Sequence, residues 1–580
     1  MKHQIPSSKN QRGSRRSEHF DAGSELSGNA RPHPSPLPQE RERGLAASES
    51  KTSRRVPCVL KRGDQHSAAD GARRAPSPGG EGRGEGGPKE LPDAGKLRSS
   101  TLPWALILTF GFLGLVIGSS AATRPNIIFI LADDLGINDL ACYGRKEHHT
   151  PNLDRLAAQG TRFTSAYCAQ PICSPSRAAI MTGKAPARLH LTTYLPGRPD
   201  CVSQKLLHPV MRQQLPLEEK TVAEHLKGAG YATACIGKWH LGGKEFSPTN
   251  QGFDVYRPGK VVTKPSETEG GKGEYELTQW AEEFVETNRA RPFFLYLAHD
   301  TPHIPYTAKR EMAAQNAKAF NPVYAAVIES MDDTVGRLLA KIDALGLANN
   351  TLVIFTSDNG GLHVPEGPHT TITHNAPFRA GKGFLYEGGL RSPLIARWLG
   401  KIPAGRVIDS PVLNTDWLPT LLDCAGLQRA KGIDGESFRD LLVGKSRGGA
   451  RRLFWHFPHY TNQGSQPAGA VRDGDWKLIE HYEDGRLELF NLANDIGEMI
   501  DLAAAEPKRA ARMAKQLARW RAEVGVQTNA VNSNFDASAH RALYVDFDPS
   551  RLNLAGTDDS GRARAVEWRK KMNAVVPKAK

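Results

Sequence analysis

Polar residues that could bind metal ions or anions follow four short apolar runs of the chain. The four groups are Asp133 and Asp134 after NIIFILA, Lys238 and His240 after ATACIG, His299 and His303 after FFLYLA, and Asp358 and Asn359 after LVIFTS. Ligands of open parallel sheets collect at the carboxyl ends of the strands. Polar turns after strands are common, but four groups that combine carboxylate, amide, imidazole and ammonium indicate one shared site.

Four of these residues, Asp133, Asp134, Asp358 and Asn359, offer only oxygen atoms as ligands. Carboxylates that share a site repel each other unless a cation neutralises them, and oxygen-only coordination suits calcium or magnesium. Calcium accepts irregular geometry more readily. The four residues therefore predict one calcium ion, although the Asp133–Asp134 pair alone would also suit a helix cap.

The segment CSPSRAAIMTG, residues 173–183, contains a second candidate group. Pro175 suits the first turn of a helix, so we expect Cys173 at or just before a helix N-terminus. Arg177 then lies one turn along on the same face, and together with the helix end it favours an anion. The residues alone leave Cys173 either a reactive thiolate or a small buried side chain.

The sequence also contains weaker candidates for site residues. We expect His299 to be structural, whereas His374 could face a substrate or form a hydrogen bond within its loop, and Arg188 and His190 could reach the pocket.

The seven cysteines include no CxxC pair, which disfavours zinc and a disulfide scaffold. Cys142, Cys168 and Cys201 are candidates for a bridge.

The elements that must position these residues follow from the alternation of apolar runs with helical segments. TPNLDRLAAQGTRF follows the first run, and helix-like segments precede the other three. This alternation predicts a parallel sheet covered on both faces. Beyond about residue 445, AVRDGDWKLIEHY, the turn EDGR and LELFNL predict an antiparallel hairpin in a smaller subdomain.

The N-terminal region has a different composition. Residues 1–100 hold 19 Lys and Arg against 12 Asp and Glu, a surplus that is half of the net charge of +14. Their Pro, Gly, Ser and Arg content predicts a disordered tail, and translation is expected to start shortly before Leu102. Residues 101–122 read as a signal peptide, or else as an uncleaved anchor. We expect export to the periplasm or the medium, with neither a nucleic acid nor a stable membrane partner.

Several ordered blocks resemble the type I sulfatases of the alkaline phosphatase superfamily. CSPSR followed by AAIMTG is similar to their signature, in which the cysteine is converted to formylglycine. The other blocks are RPNIIFILADDLG, TPNLDRLAAQGTRFTSAYC, GKWHLG, HDTPHIPY, FTSDNGG, GKGFLYEGGLRSPLIARWLGKIPAG and VRDGDWKLI with LELFNLANDIGE. They cover about residues 124–505.

The resemblance implies an α/β fold, an alkaline-phosphatase-like sandwich with a large, mostly parallel central sheet. It implies a catalytic domain over 123–445 and a C-terminal subdomain with an antiparallel sheet over 446–530. The sequence of residues 531–580 indicates an irregular, partly helical tail. An oxygen on modified Cys173 would join Asp133, Asp134, Asp358 and Asn359 around one calcium ion. The expected roles of the remaining residues are Arg177 polarising the aldehyde hydrate, His240 acting as a base, Lys238 and Lys382 binding sulfate, and His303 protonating the leaving oxygen.

The activity that this resemblance implies is hydrolysis of a sulfate ester, with a sulfated small molecule or carbohydrate as substrate. A formylglycine-generating maturation enzyme would be a further partner. Two alternatives stay open: a phosphodiester or phosphonate monoester hydrolase of the same superfamily, and an inactive relative that binds sulfated glycans.

Overall fold

The computed structural model describes residues 124–259, 272–366, 373–552 and 559–576. The expected tail over 1–100 and signal peptide over 101–122 lie outside these residues. The described strands are β1 (Asn126–Ala132), β2 (Thr161–Phe163), β3 (Ala166–Tyr167), β4 (Leu206–Leu207), β5 (Ala232–Gly237), β6 (Val255–Arg257), β7 (Phe293–Ala298), β8 (Thr351–Ser357), β9 (Leu394–Arg397), β10 (Arg406–Ile408), β11 (Val412–Leu413), β12 (Arg452–Phe457), β13 (Ala468–Asp473), β14 (Trp476–His481), β15 (Leu487–Asn491) and β16 (Ala530–Val531).

The helices, short 3₁₀ turns aside, alternate with these strands over much of the chain. They are α1 (Pro151–Gln159), α2 (Cys173–Thr182), α3 (Pro186–Leu189), α4 (Val222–Gly228), α5 (Glu274–Thr287), α6 (Arg310–Gln315), α7 (Pro322–Ala344), α8 (Glu387–Leu390), α9 (Trp417–Cys424), α10 (Arg439–Leu442), α11 (Pro507–Val524), α12 (Ala537–Tyr544) and α13 (Asp559–Val575). Within the described residues, none of them is long and apolar enough to span a bilayer.

The central sheet has eight strands in the order β10-β2-β9-β8-β1-β7-β5-β6. Every neighbouring pair is parallel except those that involve β9, which runs against both β2 and β8. The predicted, mostly parallel sheet is therefore confirmed. The four strands that the polar residues follow, β8, β1, β7 and β5, are adjacent in that order.

Helices cover both faces of this sheet, because its inner strands are apolar on both sides. Every residue of β1 is buried. Ile127 and Phe129 pack in one core with α2, α4 and α9. Ile128 and Ile130 pack in the other with α1, α5, α7 and α13. This arrangement explains why the strand sequences are continuous apolar runs.

A second, antiparallel sheet has the order β12-β13-β14-β15. One face packs on α11 through residues such as Leu478 and Met513. The other face packs against the loops that follow β3 and precede α8, through residues such as Trp455 and Phe384. The predicted hairpin is formed by β14 and β15.

Two features add detail to the expectations from the sequence. The region beyond residue 531, expected as an irregular, partly helical tail, contains α12 and α13, and Leu543, Trp568 and Met572 are buried in the core. Cys142, Cys168 and Cys201 are free, as are the other cysteines among the described residues.

Candidate active site

The carboxyl ends of the four adjacent strands bring most of the predicted residues together. Ligand atoms of Asp133, Asp134, Cys173 and Asp358 all lie within 4.8 Å of one another, and the four residues are buried. Asn359 joins them, since its side-chain amide donates to Asp134 Oδ1 over 2.7 Å. The five predicted metal-binding residues thus form one cluster.

Cys173 reaches this cluster from the N-terminus of α2. It is the first residue of the helix, as Pro175 predicts, and it is 2% exposed. Its thiol donates to Asp133 Oδ1 over 3.3 Å. Burial raises the pKa of this thiol well above its usual value, and the negative charge of Asp133 raises it further. In this environment Cys173 is a protonated thiol, and it is therefore a weak nucleophile.

Arg177, one turn along α2, holds Asp358. Its Nε and a terminal nitrogen lie 2.9 and 2.8 Å from Asp358 Oδ2, and a terminal nitrogen also donates to the carbonyl of Lys238 over 3.0 Å. The guanidinium is fully buried, so these contacts fix its position relative to the helix end and the acids.

Two lysines neutralise the remaining acids. Lys238 forms an ion pair with Asp133, and Lys382 Nζ lies 2.7 Å from Asp134 Oδ2. Burial alone would raise the pKa values of the two aspartates, but the surrounding positive charges together outweigh it and lower them, with Lys238 the largest contributor at Asp133 and Lys382 at Asp134. Burial, with the nearby charge of Asp133, raises the pKa of Asp358 to about 7.

These carboxylates and Asn359 form a donor set that suits a hard divalent cation. Asn359 Oδ1 is buried and accepts no hydrogen bond in the part of the chain that is described, and an unsatisfied buried acceptor of this kind calls for a donor or a cation. Three carboxylates with this amide oxygen match the oxygen ligands that calcium prefers. The residues therefore fit the predicted ion.

Two histidines border the cluster. His303 Nε2 lies 3.6 Å from Asp134 Oδ2, while its Nδ1 lies 2.6 Å from the carbonyl oxygen of Ile304. His240 Nε2 lies 3.0 Å from the carbonyl oxygen of Leu195, and its Nδ1 is buried without a partner among the described residues. Burial, together with a lysine charge, lowers the pKa of His303 to about 4 and that of His240 to about 3. Both rings are neutral here.

The weaker sequence candidates differ in their surroundings. The His299 ring is fully buried, and neither of its nitrogens forms a hydrogen bond with a described residue, which agrees with a structural role. His374 contacts Arg145 within 2.6 Å. Arg188 pairs with Asp434, and His190 Nε2 lies 2.9 Å from the carbonyl oxygen of Gly525, so neither contacts the cluster.

One charged residue near the site was missed by the sequence reasoning. Lys272, just before α5, is 4% exposed and donates to the carbonyl oxygens of Asp300 and Ile304. It lies in the glycine-rich segment GGKGE, whose composition suggests an exposed turn. No spacing to the other site residues gives a sign of its burial.

Comparisons with known proteins agree with this geometry. A family model described as Sulfatase matches residues 125–427, and one described as N-sulphoglucosamine sulphohydrolase, C-terminal, matches residues 380–523. The N-acetylgalactosamine-6-sulfatase of Sus scrofa is 38% identical over 367 residues, which cover 57% of this chain and 68% of the relative. A sulfatase of Formosa agariphila is 31% identical over 533 residues, which cover 73% of this chain and 94% of the relative.

A solved structure extends the similarity to the fold. The crystal structure of Ps i-CgsB in complex with k-i-k-neocarrahexaose has a TM-score of 0.60 at 27% identity, and the match covers 77% of this chain and 98% of that one. With a family model over about half of its length and a relative matched almost end to end, the chain belongs to the sulfatase family, whose named members are sulfuric ester hydrolases.

Proposed function

We propose that this sulfatase removes sulfate from a sulfated carbohydrate, using a formylglycine made from Cys173 and one calcium ion. The observation that carries the proposal is the position of Cys173, whose sulfur lies 3.3 Å from Asp133 and 3.9 Å from Asp134 at a cluster of oxygen ligands. A cysteine there serves no disulfide and is protonated as it stands. Its conversion to an aldehyde hydrate would give a hydroxyl nucleophile with its own route for releasing sulfate.

Asp133, Asp134, Asp358 and Asn359 would hold the calcium ion, which would supply positive charge beside the reacting oxygen atoms. Arg177 orients Asp358 and keeps a guanidinium at the N-terminus of α2, where anions are favoured. Lys238 and Lys382 pair with the acids in this structure, and with the acids bound to a cation they would be available to sulfate oxygens. Such fixed charges commonly contribute several kcal/mol to transition-state stabilisation.

The two histidines suit proton transfer at opposite ends of the reaction. His240 is neutral, and its Nδ1, which has no hydrogen-bond partner among the described residues, can accept a proton. His303 presents Nε2 toward the acids, and after taking up a proton there it would protonate the leaving oxygen. Positioned acids and bases of this kind typically contribute about 10²–10⁴-fold in rate.

The names of the similar proteins favour a carbohydrate substrate. The relative from Sus scrofa is an N-acetylgalactosamine-6-sulfatase, and Ps i-CgsB was crystallised with a neocarrahexaose. A glycosaminoglycan fragment or another sulfated polysaccharide is therefore the proposed substrate class. The apolar run from Leu102 to Gly118 favours export of the protein, and sulfated polysaccharides of this kind occur outside the cell. A maturation enzyme would convert Cys173 before export.

Co-expression with a formylglycine-generating enzyme, followed by assay on a panel of sulfated sugars, tests the proposal. We expect turnover of at least one sulfated sugar, loss of activity with a calcium chelator, recovery with Ca²⁺, and no activity for Cys173→Ala. Peptide mass across residue 173 should show the loss of one sulfur and two hydrogens and the gain of one oxygen, the change from a thiol to an aldehyde. Unmodified Cys173 with retained binding of sulfated glycans would instead favour an inactive binding protein.

The same experiment discriminates the phosphate alternative. Aryl sulfate and aryl phosphate diester should be compared at equal formylglycine content. We expect the sulfate to be preferred, and a preference for the diester by orders of magnitude would refute a sulfatase role for this site.

A further inference from the structure

Lys272 is a buried cation to which the proposed mechanism assigns no role. It lies two residues before α5 and is 4% exposed. Its ammonium donates to the carbonyl oxygen of Ile304 over 2.9 Å and to that of Asp300 over 3.3 Å. A buried charge is costly unless it is well paired, so these contacts point to a specific use.

The same two carbonyl groups hold His303. Its backbone N–H donates to the carbonyl oxygen of Asp300 over 3.1 Å, and its Nδ1 lies 2.6 Å from that of Ile304. Lys272 therefore contacts the turn of His303 at both of the points that fix the histidine. Loss of the ammonium would leave each carbonyl with one donor fewer and free the turn to shift.

The contact at Ile304 also sets the tautomer of the ring. A carbonyl oxygen only accepts, so Nδ1 carries a hydrogen and the neutral ring keeps its lone pair on Nε2. That nitrogen lies on the side of the acids, 3.6 Å from Asp134 Oδ2. A shift of the Ile304 carbonyl would turn Nε2 away from the reacting atoms, and misplacement by about 1 Å can cost on the order of 10²-fold in rate.

We propose that Lys272 is a positioning residue that aims His303 Nε2 at the leaving oxygen by holding the carbonyls of Asp300 and Ile304. The inference rests on the proposed sulfatase function. The ring takes up a proton from solvent on Nε2 when the anionic ester binds. As the nucleophile oxygen bonds to sulfur and the ester S–O bond breaks, the ring passes this proton to the departing oxygen. The alcohol leaves neutral, and His303 is left neutral with hydrogen on Nδ1. An anionic sulfate ester beside the ring favours the charged form that this step needs.

A lysine that only stabilises the fold would affect all substrates alike, whereas a positioning lysine affects those whose leaving group needs a proton. The test compares wild type, Lys272→Met, Lys272→Arg, His303→Ala and the Lys272→Met/His303→Ala double variant on 4-nitrophenyl sulfate and phenyl sulfate. Rates are normalised to the formylglycine content of residue 173, and thermal unfolding is followed for each protein. Lys227→Met is the control, because Lys227 pairs with Asp254 at the surface.

We expect Lys272→Met to lower kcat on phenyl sulfate by about tenfold or more, and on 4-nitrophenyl sulfate by less than about threefold, since nitrophenolate leaves without a proton. Lys272→Arg, which keeps charge and donors, should retain most activity even if the methionine variant folds poorly. In the His303→Ala background the methionine change should have no further effect. Equal losses on both esters, or a full additional loss in that background, would overturn the inference. Wild type that is inactive on both aryl sulfates and on every sulfated sugar of the panel, with residue 173 converted, would refute the proposed function itself.

Discussion

Asn359 differs from the acids around it because its side-chain oxygen is buried and accepts no hydrogen bond from a described residue. Its amide nitrogen, by contrast, donates to Asp134 and to the carbonyl oxygen of Gly360. The amide is thus held at one end, with its oxygen free. Because of this asymmetry, a substitution of Asn359 tests the proposed metal site most directly.

Replacing Asn359 with Ala should weaken calcium binding by about tenfold or more, because it removes one oxygen ligand and a contact that orients Asp134. The measurement is the rise in melting temperature as Ca²⁺ is added to chelator-treated protein. Asn288→Ala is a matched control, since Asn288 is also buried but its side chain bonds to residues close to it in the chain, Phe284 and Arg291. Equal calcium responses in the two variants would exclude Asn359 as a ligand.

At the scale of elements, a buried ion network joins α8 to the antiparallel sheet. Lys477 of β14 lies 2.8 Å from both Glu387 and Glu498, and all three side chains are fully buried. Glu387 also contacts Arg391 and Tyr167. The network fixes the smaller sheet against the segment between Lys382 and β9.

Lys477→Met should lower the free energy of unfolding by about 3–5 kcal/mol, because it leaves two carboxylates buried with one cation fewer. Chemical denaturation at constant calcium measures this loss. Lys341→Met, which breaks the exposed pair with Glu286, should cost no more than about 1 kcal/mol. Similar losses in both variants would show that burial of the network contributes little.

His456 of β12 links the same sheet to the segment after α11. Its ring nitrogens lie 2.8 Å from the Tyr482 hydroxyl and 2.9 Å from the carbonyl oxygen of Gln527. Burial lowers the pKa of His456 to about 4, whereas an unfolded histidine takes up a proton near about 6.5. Between these values the unfolded chain binds more protons, so stability from this group is present above pH 6.5 and is lost as pH falls toward 4.

His456→Gln should therefore flatten the pH dependence of stability. Between pH 7.5 and pH 5 the wild type should lose about 2 kcal/mol more than the variant, measured by urea unfolding at both values. His149→Gln, at an exposed position, is the control and should follow the wild type. A variant as acid-sensitive as the wild type would show that His456 is protonated in the folded state.

At the scale of the whole molecule, the sequence predicts the central sheet and the residues of the site. It predicts less well which strands run antiparallel and which side chains pair with each other. Continuous apolar runs such as β1 reveal buried strands, and the polar residues after them mark the rim. A short apolar run does not show in which direction its strand runs, so the sequence does not predict that β9 is antiparallel to its neighbours. The ion pair between Lys238 and Asp133 depends on distances that only packing sets.

Other features escaped because their local sequences resemble loops or surfaces. Lys272 lies among glycines, and its burial follows from contact with the turn that contains His303. Helix α13 has a largely polar sequence, and its burial depends on Trp568 and Met572, one turn apart. Residues that act through long-range contacts are thus the ones that a linear reading misses.

The pairing of β1 has a consequence for how the chain acquires its structure during synthesis. Phe129 is aligned with Tyr296 on one side and with Ile354 on the other, so the strand made first waits for partners made much later. Long-range pairing of this kind slows folding and leaves apolar segments open to aggregation until the partner strands have been made. Because Asp358 is also made late, the site around Cys173 is completed only after this interval, in which the proposed maturation enzyme would have access to the thiol.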